Sequence, residues 1–344
     1  MIAASRIATI EEVHQPPPAE GILSAIGNTP LVLLNRLFGD RFYLYGKLEM
    51  LNPGGSIKDR TAMRMLLEAW EQQRIGPETT IIESSSGNLG IGLAQACSRL
   101  GLRFICVVDT LITPTNLAVL KAYGADVRLV ERPHPVTGDL LSARIELVQD
   151  LCRTIKDSFW VNQYANLTNA KAHYQTMAEI HRELPLLDYL FVATSTCGTL
   201  RGCSEYARKN GLSTRVVAVD ACGSVIFGDQ PKKRLIPGHG ASRLPELYYS
   251  GLEDDHVKVS DIECVRGCFH LLRREAIFAG GSAGAVVAAI ARYQASIPDG
   301  ATCAAILCDR GERYLDTIFS KEWTGQHFGD ASLTMEEADQ AWEV

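Results

Sequence analysis

The chain is predicted to fold as two doubly wound α/β domains, and three features of its sequence point there. Short β-rich runs alternate with helical runs, and they do so in two separate series. At 344 residues, 46% hydrophobic and 22% charged, the chain is long and apolar enough to bury two cores rather than one. Glycine- and serine-rich segments follow the ends of several predicted strands, where open α/β sheets place their ligands.

Residues 1–20 contain Pro16, Pro17 and Pro18 and little apolar periodicity, so they are expected to be a loosely held arm, with the fold starting near Gly21. In the first series, strands are expected at Thr80 to Glu83, Phe104 to Val108 and Val127 to Val130. Each precedes a helical run, over Leu89 to Leu100, Pro114 to Tyr123 and Leu140 to Thr154. In the second series, Tyr189 to Ala193, Val216 to Val219 and Ala304 to Leu307 are the strands. The helices start at Leu200, run over 261–278, and start again at Ala283. Between them Gly223 to Tyr249 is long, aperiodic and rich in Gly, Pro and basic residues, a combination more often functional than idle. The domains are expected at 51–158 (a smaller, mobile unit) and at 21–50 plus 159–325 (a larger one), with a tail over 326–344.

Composition narrows the function. A net charge of −6 and no basic run beyond Lys232, Lys233 and Arg234 argue against nucleic acid as a partner. No stretch approaches the roughly 20 apolar residues that span a bilayer, and residues 1–18 lack a signal-peptide layout, so a cytoplasmic location is expected. The ten cysteines are scattered without CxxC pairs and the eight histidines show no HExxH spacing, so no metal site is implied.

Four segments carry chemistry. In Asn52-Pro53-Gly54-Gly55-Ser56-Ile57-Lys58 a lone lysine follows a glycine turn at a helix start, where the dipole and shelter lower its pKa and make the amine a nucleophile toward an aldehyde such as pyridoxal phosphate. A solvated first-turn lysine fits that segment alone. In Glu83-Ser84-Ser85-Ser86-Gly87-Asn88 the amides and the hydroxyls of Ser85 and Ser86 suit a carboxylate, and Asn88 suits a phenolic oxygen; a plain serine-capped helix fits equally. Ser195-Thr196-Cys197-Gly198-Thr199 has the small residues of a phosphate cradle without nucleotide-loop spacing; a tight turn is the other reading. Ala279 to Ala285 sets Ser282 among residues too small to fill space, which suits a flat ring or close helix packing.

Taken in order, Asn28-Thr29-Pro30-Leu31, the Lys58 segment, Ser86-Gly87-Asn88, Asn162-Gln163-Tyr164, residues 195–199 and Gly280-Gly281-Ser282-Ala283-Gly284 resemble the cysteine synthase and cystathionine β-synthase family. That family has fold type II, like the tryptophan synthase β-subunit, and depends on pyridoxal 5'-phosphate. The resemblance spans about Gly21 to Asp316. It implies that Lys58 forms the internal aldimine and acts as general base, that Asn88 bonds the cofactor hydroxyl and that Ser195, Thr196, Cys197, Gly198 and Thr199 bind its phosphate. It also implies that Ser282 meets the pyridine nitrogen, and that Ser85, Ser86, Gly87 and Gln163 bind the amino acid substrate. The implied chemistry is β-replacement through an α-aminoacrylate in a homodimer.

Departures from the cysteine synthase pattern bear on the second substrate. Ser195 and Cys197 replace loop glycines, Tyr164 replaces phenylalanine, and Arg144 stands where a small residue is expected. Sulfide needs no added donors, whereas a nucleophile with carboxylates uses an arginine fork. With Val219 to Asp229 and Asp309 to Asp316, these features look like the N-(2-amino-2-carboxyethyl)-L-glutamate synthase subfamily of siderophore pathways, making a 2,3-diaminopropionate precursor. That implies O-phospho-L-serine and L-glutamate as substrates, with Arg243 preferred for the leaving phosphate. The alternatives are a cysteine synthase using O-acetylserine or O-phosphoserine with sulfide, and a non-catalytic regulatory module of the same fold.

Overall fold

A computed structural model describes residues 21–329. The expected arm, residues 1–20, lies outside the described residues, as does most of the expected tail. Ten strands and nine α-helices are found among the described residues: β1 (Leu31–Leu33), β2 (Tyr43–Leu48), α1 (Lys58–Glu71), β3 (Thr80–Ser84), α2 (Asn88–Leu100), β4 (Arg103–Asp109), α3 (Pro114–Ala122), β5 (Asp126–Val130), α4 (Leu140–Thr154), β6 (Ser158–Trp160), α5 (Leu167–Glu183), β7 (Tyr189–Ala193), α6 (Gly198–Lys209), β8 (Arg215–Ala221), β9 (Asp255–Val259), α7 (Asp261–Glu275), α8 (Gly281–Tyr293), β10 (Thr302–Leu307) and α9 (Lys321–Phe328). The 223–249 segment contains no helix or strand.

The strands form two sheets. One has four parallel strands in the order β5-β4-β3-β6; the other has six, β1-β2-β10-β7-β8-β9, parallel except for β1 on its edge. Both are covered on both faces, which is why their central strands carry apolar residues toward each face. In β3, Ile81 packs toward α1 and α2 with Met65, Leu66 and Leu93, while the next residue, Ile82, packs toward α4 with Val148. The larger sheet is covered by α7 and α8 on one side and by α5 and α6 on the other. This is the doubly wound architecture read from the alternation.

Local chemistry sets the helix ends. Thr113 and Asp139 accept the amides of Asn116 and Ser142 at the starts of α3 and α4, and Pro114 sits in the first turn of α3. Ser260 and Glu263 form a reciprocal capping box on α7. The expected helix over 261–278 stops at Glu275 because Ala276 adopts a left-handed conformation (φ 54°). The expected starts at Leu89, Leu200 and Ala283 move to Asn88, Gly198 and Gly281, which brings the candidate site residues onto the first turns themselves.

Behind the sheets lies a buried ionic network. Arg60 on α1 donates to Glu49 and to Glu179 on α5, Lys47 on β2 donates to Glu179 at 2.7 Å, and all four side chains are inaccessible or nearly so. Thr29 donates to Glu49 and its carbonyl accepts from Lys47, while the Asn28 amide donates to Glu179. The Asn28-Thr29-Pro30 turn is thus the lid of a neutral four-charge cluster.

Candidate active site

Three helix starts, those of α1, α2 and α8, converge on the stretch that leaves the carboxyl end of β10. The Ile57 amide donates to the Cys308 carbonyl at 2.8 Å and Ser56 bridges to Asp309, so the turn before Lys58 is pinned there. On the other side the Gly280 amide donates to the Asp309 carbonyl at 3.0 Å, and Ala279 bridges to Arg310, pinning the turn before Ser282. The Asp309 side chain accepts from Asn88 Nδ2 at 2.8 Å, drawing in the start of α2. This hub is where a parallel sheet presents its ligand site.

Lys58 opens α1. Burial lowers its pKa, and the thiols of Cys308 and Cys197 are the groups whose charge acts on it in the opposite sense. Cys308 in turn hydrogen-bonds Ser282, on the first turn of α8, and burial pushes its thiol up to about 12. Lys58 is thus within electrostatic reach of Cys197 in the 195–199 loop and of Cys308, which bonds Ser282. Among the described residues no carboxylate pairs with its amine, so desolvation governs it.

The 195–199 loop turns at the start of α6, where an anion is favoured. Cys197 is left-handed (φ 62°) and Gly198 begins α6, so successive amides turn inward at a positive helix end. A Cβ on Gly198 would lie 2.2 Å from Asn169 Oδ1, so a side chain there would fill the cradle's wall. Asn169 braces the loop from α5, donating to Thr196 Oγ1 at 3.2 Å and to the Gln163 carbonyl at 2.8 Å. His173, driven well below its ordinary pKa by burial and by the charges of Lys58 and Arg60, sits neutral between Thr61 and Thr199.

At the serine turn the residue capping α2 is Gly87, not a serine; Ser85 Oγ, two residues earlier, accepts the Gly90 amide at 3.1 Å while its hydrogen remains to donate. Gly87 is the extended residue before α2. Ser86 Oγ accepts from Arg144 Nη1 at 3.2 Å and from the Asp109 amide at 3.3 Å. Arg144 also pairs through Nε with Asp109 Oδ2 at 3.1 Å. Glu83 joins this turn to the Gln163 loop, its two oxygens accepting the amides of Ser84 (2.8 Å) and Gln163 (3.3 Å). Burial raises it to about 7, against those hydrogen bonds. Tyr164 lies near Arg144, Glu83 and Arg234, and burial raises its hydroxyl pKa. Arg243 is exposed, with its charge acting on Asp139 at the start of α4.

The glycines of the Ala279 to Ala285 segment are closed by protein. Gly280 faces Asp309 and Tyr314, Gly281 faces Ile236, and Gly284 faces the Cys264 carbonyl of α7. Close packing accounts for all three, leaving Ser282 as the polar group of that segment. The 309–316 stretch entered the sequence reading only as a likeness; Cys308, Asp309 and Arg313 were missed as site residues, although they follow a strand's carboxyl end as the others do.

Fold and site together define a class of α/β protein with polar, glycine- and serine-rich helix starts gathered beyond the carboxyl ends of two largely parallel sheets. Residues 22–309 match the family model of pyridoxal-phosphate dependent enzymes, and the chain belongs to that family. Its fold is also that of solved structures. An O-acetylserine dependent cystathionine β-synthase from Helicobacter pylori superposes with a TM-score of 0.81 at 29% identity, covering 87% of this chain and 97% of that one. An O-ureido-L-serine synthase gives 0.80 at 30%, covering 94% and 98%. A hydrogen sulfide-producing enzyme from Fusobacterium nucleatum gives 0.81 at 30%, covering 86% and 97%. The protein is a pyridoxal-phosphate-dependent enzyme of the two-domain α/β kind, and the cradle, Ser282 and the sheltered lysine fit that cofactor.

Proposed function

We propose that this enzyme performs β-replacement on O-phospho-L-serine with L-glutamate as nucleophile, giving N-(2-amino-2-carboxyethyl)-L-glutamate and phosphate for 2,3-diaminopropionate and siderophore biosynthesis. The Cβ–O bond breaks with its electron pair leaving on phosphate; the glutamate nitrogen bonds to Cβ and loses a proton. Bound pyridoxal phosphate supplies the electron sink for removal of the α-proton and loss of the β-substituent. Lys58 carries the cofactor and its neutral amine, favoured by burial, accepts the α-proton. Amides and hydroxyls of Ser195, Thr196, Cys197, Gly198 and Thr199 hold the phosphate, Asn88 donates to the phenolic oxygen, and the neutral Ser282 serves the ring nitrogen. Ser85, Ser86, Gly87 and Gln163 hold the substrate carboxylate. Arg243, from the 223–249 segment, meets the departing phosphate. The enzyme is proposed to work as a cytoplasmic homodimer; among the described residues no helix is long and apolar enough to cross a membrane.

The observation that carries the choice of nucleophile is Arg144, a cation held against Ser86 and close to Tyr164. A dianionic amino acid gains from such a group, with Tyr164 and Ser195 adding hydroxyls; sulfide does not. A specific observation also favours the second reading, a cysteine synthase using O-acetylserine or O-phosphoserine with sulfide: Arg144 is already paired with Asp109. The solved neighbours include an O-acetylserine-dependent enzyme and a hydrogen sulfide producer. Incubating the loaded enzyme with O-phosphoserine and either glutamate or sulfide, with product identified by mass, separates the two. Rapid sulfide consumption with no glutamate adduct overturns the glutamate reading.

A further inference from the structure

The segment after β10 holds the Asn88 carboxamide at both ends. The Arg313 guanidinium donates to Asn88 Oδ1, and Asn88 Nδ2 donates to Asp309 Oδ2 at 2.8 Å. A guanidinium has no acceptor and an ionised carboxylate has no donor, so two partners of opposite character dictate which end of the amide is oxygen and which is nitrogen. Arg313 is itself tied down by a second bond to the Gly54 carbonyl, in the turn that leads to Lys58. The Tyr314 hydroxyl donates to Asp309 Oδ2 at 2.5 Å. Oδ2 thus takes two donors while Oδ1 is buried without a partner among the described residues. A proton added to this carboxyl falls on Oδ1, and the bond from Asn88 survives it.

We propose that Arg313 and Asp309 are positioning residues that lock the Asn88 carboxamide so that its nitrogen end, with one N–H left over, is presented to the cofactor's phenolic oxygen. The inference rests on the reading of Asn88 given under Proposed function. Without Arg313 the amide is oriented by Asp309 alone, and its Oδ1 loses the cation that rewards the productive orientation; the turned-over form, whose carbonyl faces an oxygen that carries negative charge, becomes less disfavoured. Arg313 reaches Asn88 on α2, beside the four-stranded sheet, from a segment that leaves the six-stranded one, so the lock also ties the two sheets together across the site.

The test is a double-mutant cycle on protein loaded with pyridoxal phosphate: wild type, Asn88→Ala, Arg313→Gln and the pair. The readouts are the ratio of visible to near-ultraviolet absorbance of the bound cofactor and its dissociation constant by equilibrium dialysis. Asn88→Ala is expected to move the absorbance toward the ultraviolet. Arg313→Gln is expected to move it the same way and to weaken cofactor binding about tenfold, the worth of one charge-assisted hydrogen bond. In the Asn88→Ala background Arg313→Gln is expected to add nothing, because it acts through that amide. Equal shifts in both backgrounds, or no shift from Arg313→Gln, overturn the proposal. An unchanged spectrum in Asn88→Ala alone overturns the underlying reading of Asn88, and the proposal with it. Arg313→Met, which removes both guanidinium contacts and adds no polar group, gives the same comparison if the glutamine variant does not fold.

Discussion

At the scale of single residues, chemistry follows from what each side chain is denied. Lys58 lacks a carboxylate and loses solvent, so its amine is driven toward neutrality; Arg144 keeps a carboxylate and so keeps its place. Arg144→Ala is expected to raise the KM for the nucleophilic amino acid by ten- to about a hundredfold, the ceiling for a bidentate contact worth a few kcal/mol. Loss of the β-substituent from O-phosphoserine in the absence of a nucleophile should be little altered, as stopped-flow absorbance would report. The opposite split, with elimination lost and nucleophile affinity intact, places Arg144 on the first substrate. The placement of Lys58, Asn88 and Ser282 at helix starts was legible in the sequence because each follows a glycine- or serine-rich turn. Asp309 and Arg313 were not, since an acidic and a basic residue in an Asp-Arg-Gly-Glu-Arg-Tyr run look like a solvated loop, and only the tertiary contact turns them toward Asn88.

At the scale of elements, the strands that could be read are those buried on both faces, such as β3, β7 and β8, whose apolar runs end at turn residues. Those missed have a physical reason for looking unlike strands. In β2, Gly46 and the fully buried Lys47 break the apolar run, and β9, Asp-His-Val-Lys-Val, is a half-buried edge. Helix α5 was missed because its inner face carries Asn169, His173 and Glu179, polar residues in the place of a hydrophobic stripe. Helices α7 and α8 meet through glycine: a Cβ at Gly267 would lie 2.0 Å from the Gly284 carbonyl, and one at Gly284 would lie 2.1 Å from the Cys264 carbonyl. Gly267→Ala or Gly284→Ala is expected to cost about 1–3 kcal/mol by forcing two backbones apart. Gly325→Ala, on α9 with nothing within 4 Å, is expected to gain about 0.5–1 kcal/mol. Urea midpoints distinguish the two outcomes, and equal effects at both sites contradict the packing argument.

At the scale of the whole molecule, the buried Lys47, Glu49, Arg60 and Glu179 cluster joins β2, α1 and α5 behind the site, so the helix bearing Lys58 is anchored to the six-stranded sheet by charge. Burial alone would raise Glu179; hydrogen bonds and charge from Arg60 and Lys47 outweigh it and hold the carboxyl at about 2. A folded pKa below the unfolded value of roughly 4.3 gives stability that is complete above 4.3 and disappears as pH falls toward 2, on the order of 3 kcal/mol. Glu179→Gln is expected to cost about 3–5 kcal/mol at neutral pH, because it leaves Lys47 buried without a carboxylate and the cluster with one uncompensated positive charge, and to flatten that acid limb. An unchanged pH profile for the variant would contradict the role given to this carboxylate.

Everything assigned to the site depends on which lysine carries the cofactor. Loading the protein with pyridoxal phosphate, reducing it with borohydride and locating the fixed pyridoxyl group by peptide mass spectrometry decides this directly. One group per chain on the peptide containing Lys58, absent from Lys58→Ala, is the expected result; fixation at another lysine, or undiminished fixation in Lys58→Ala, contradicts it.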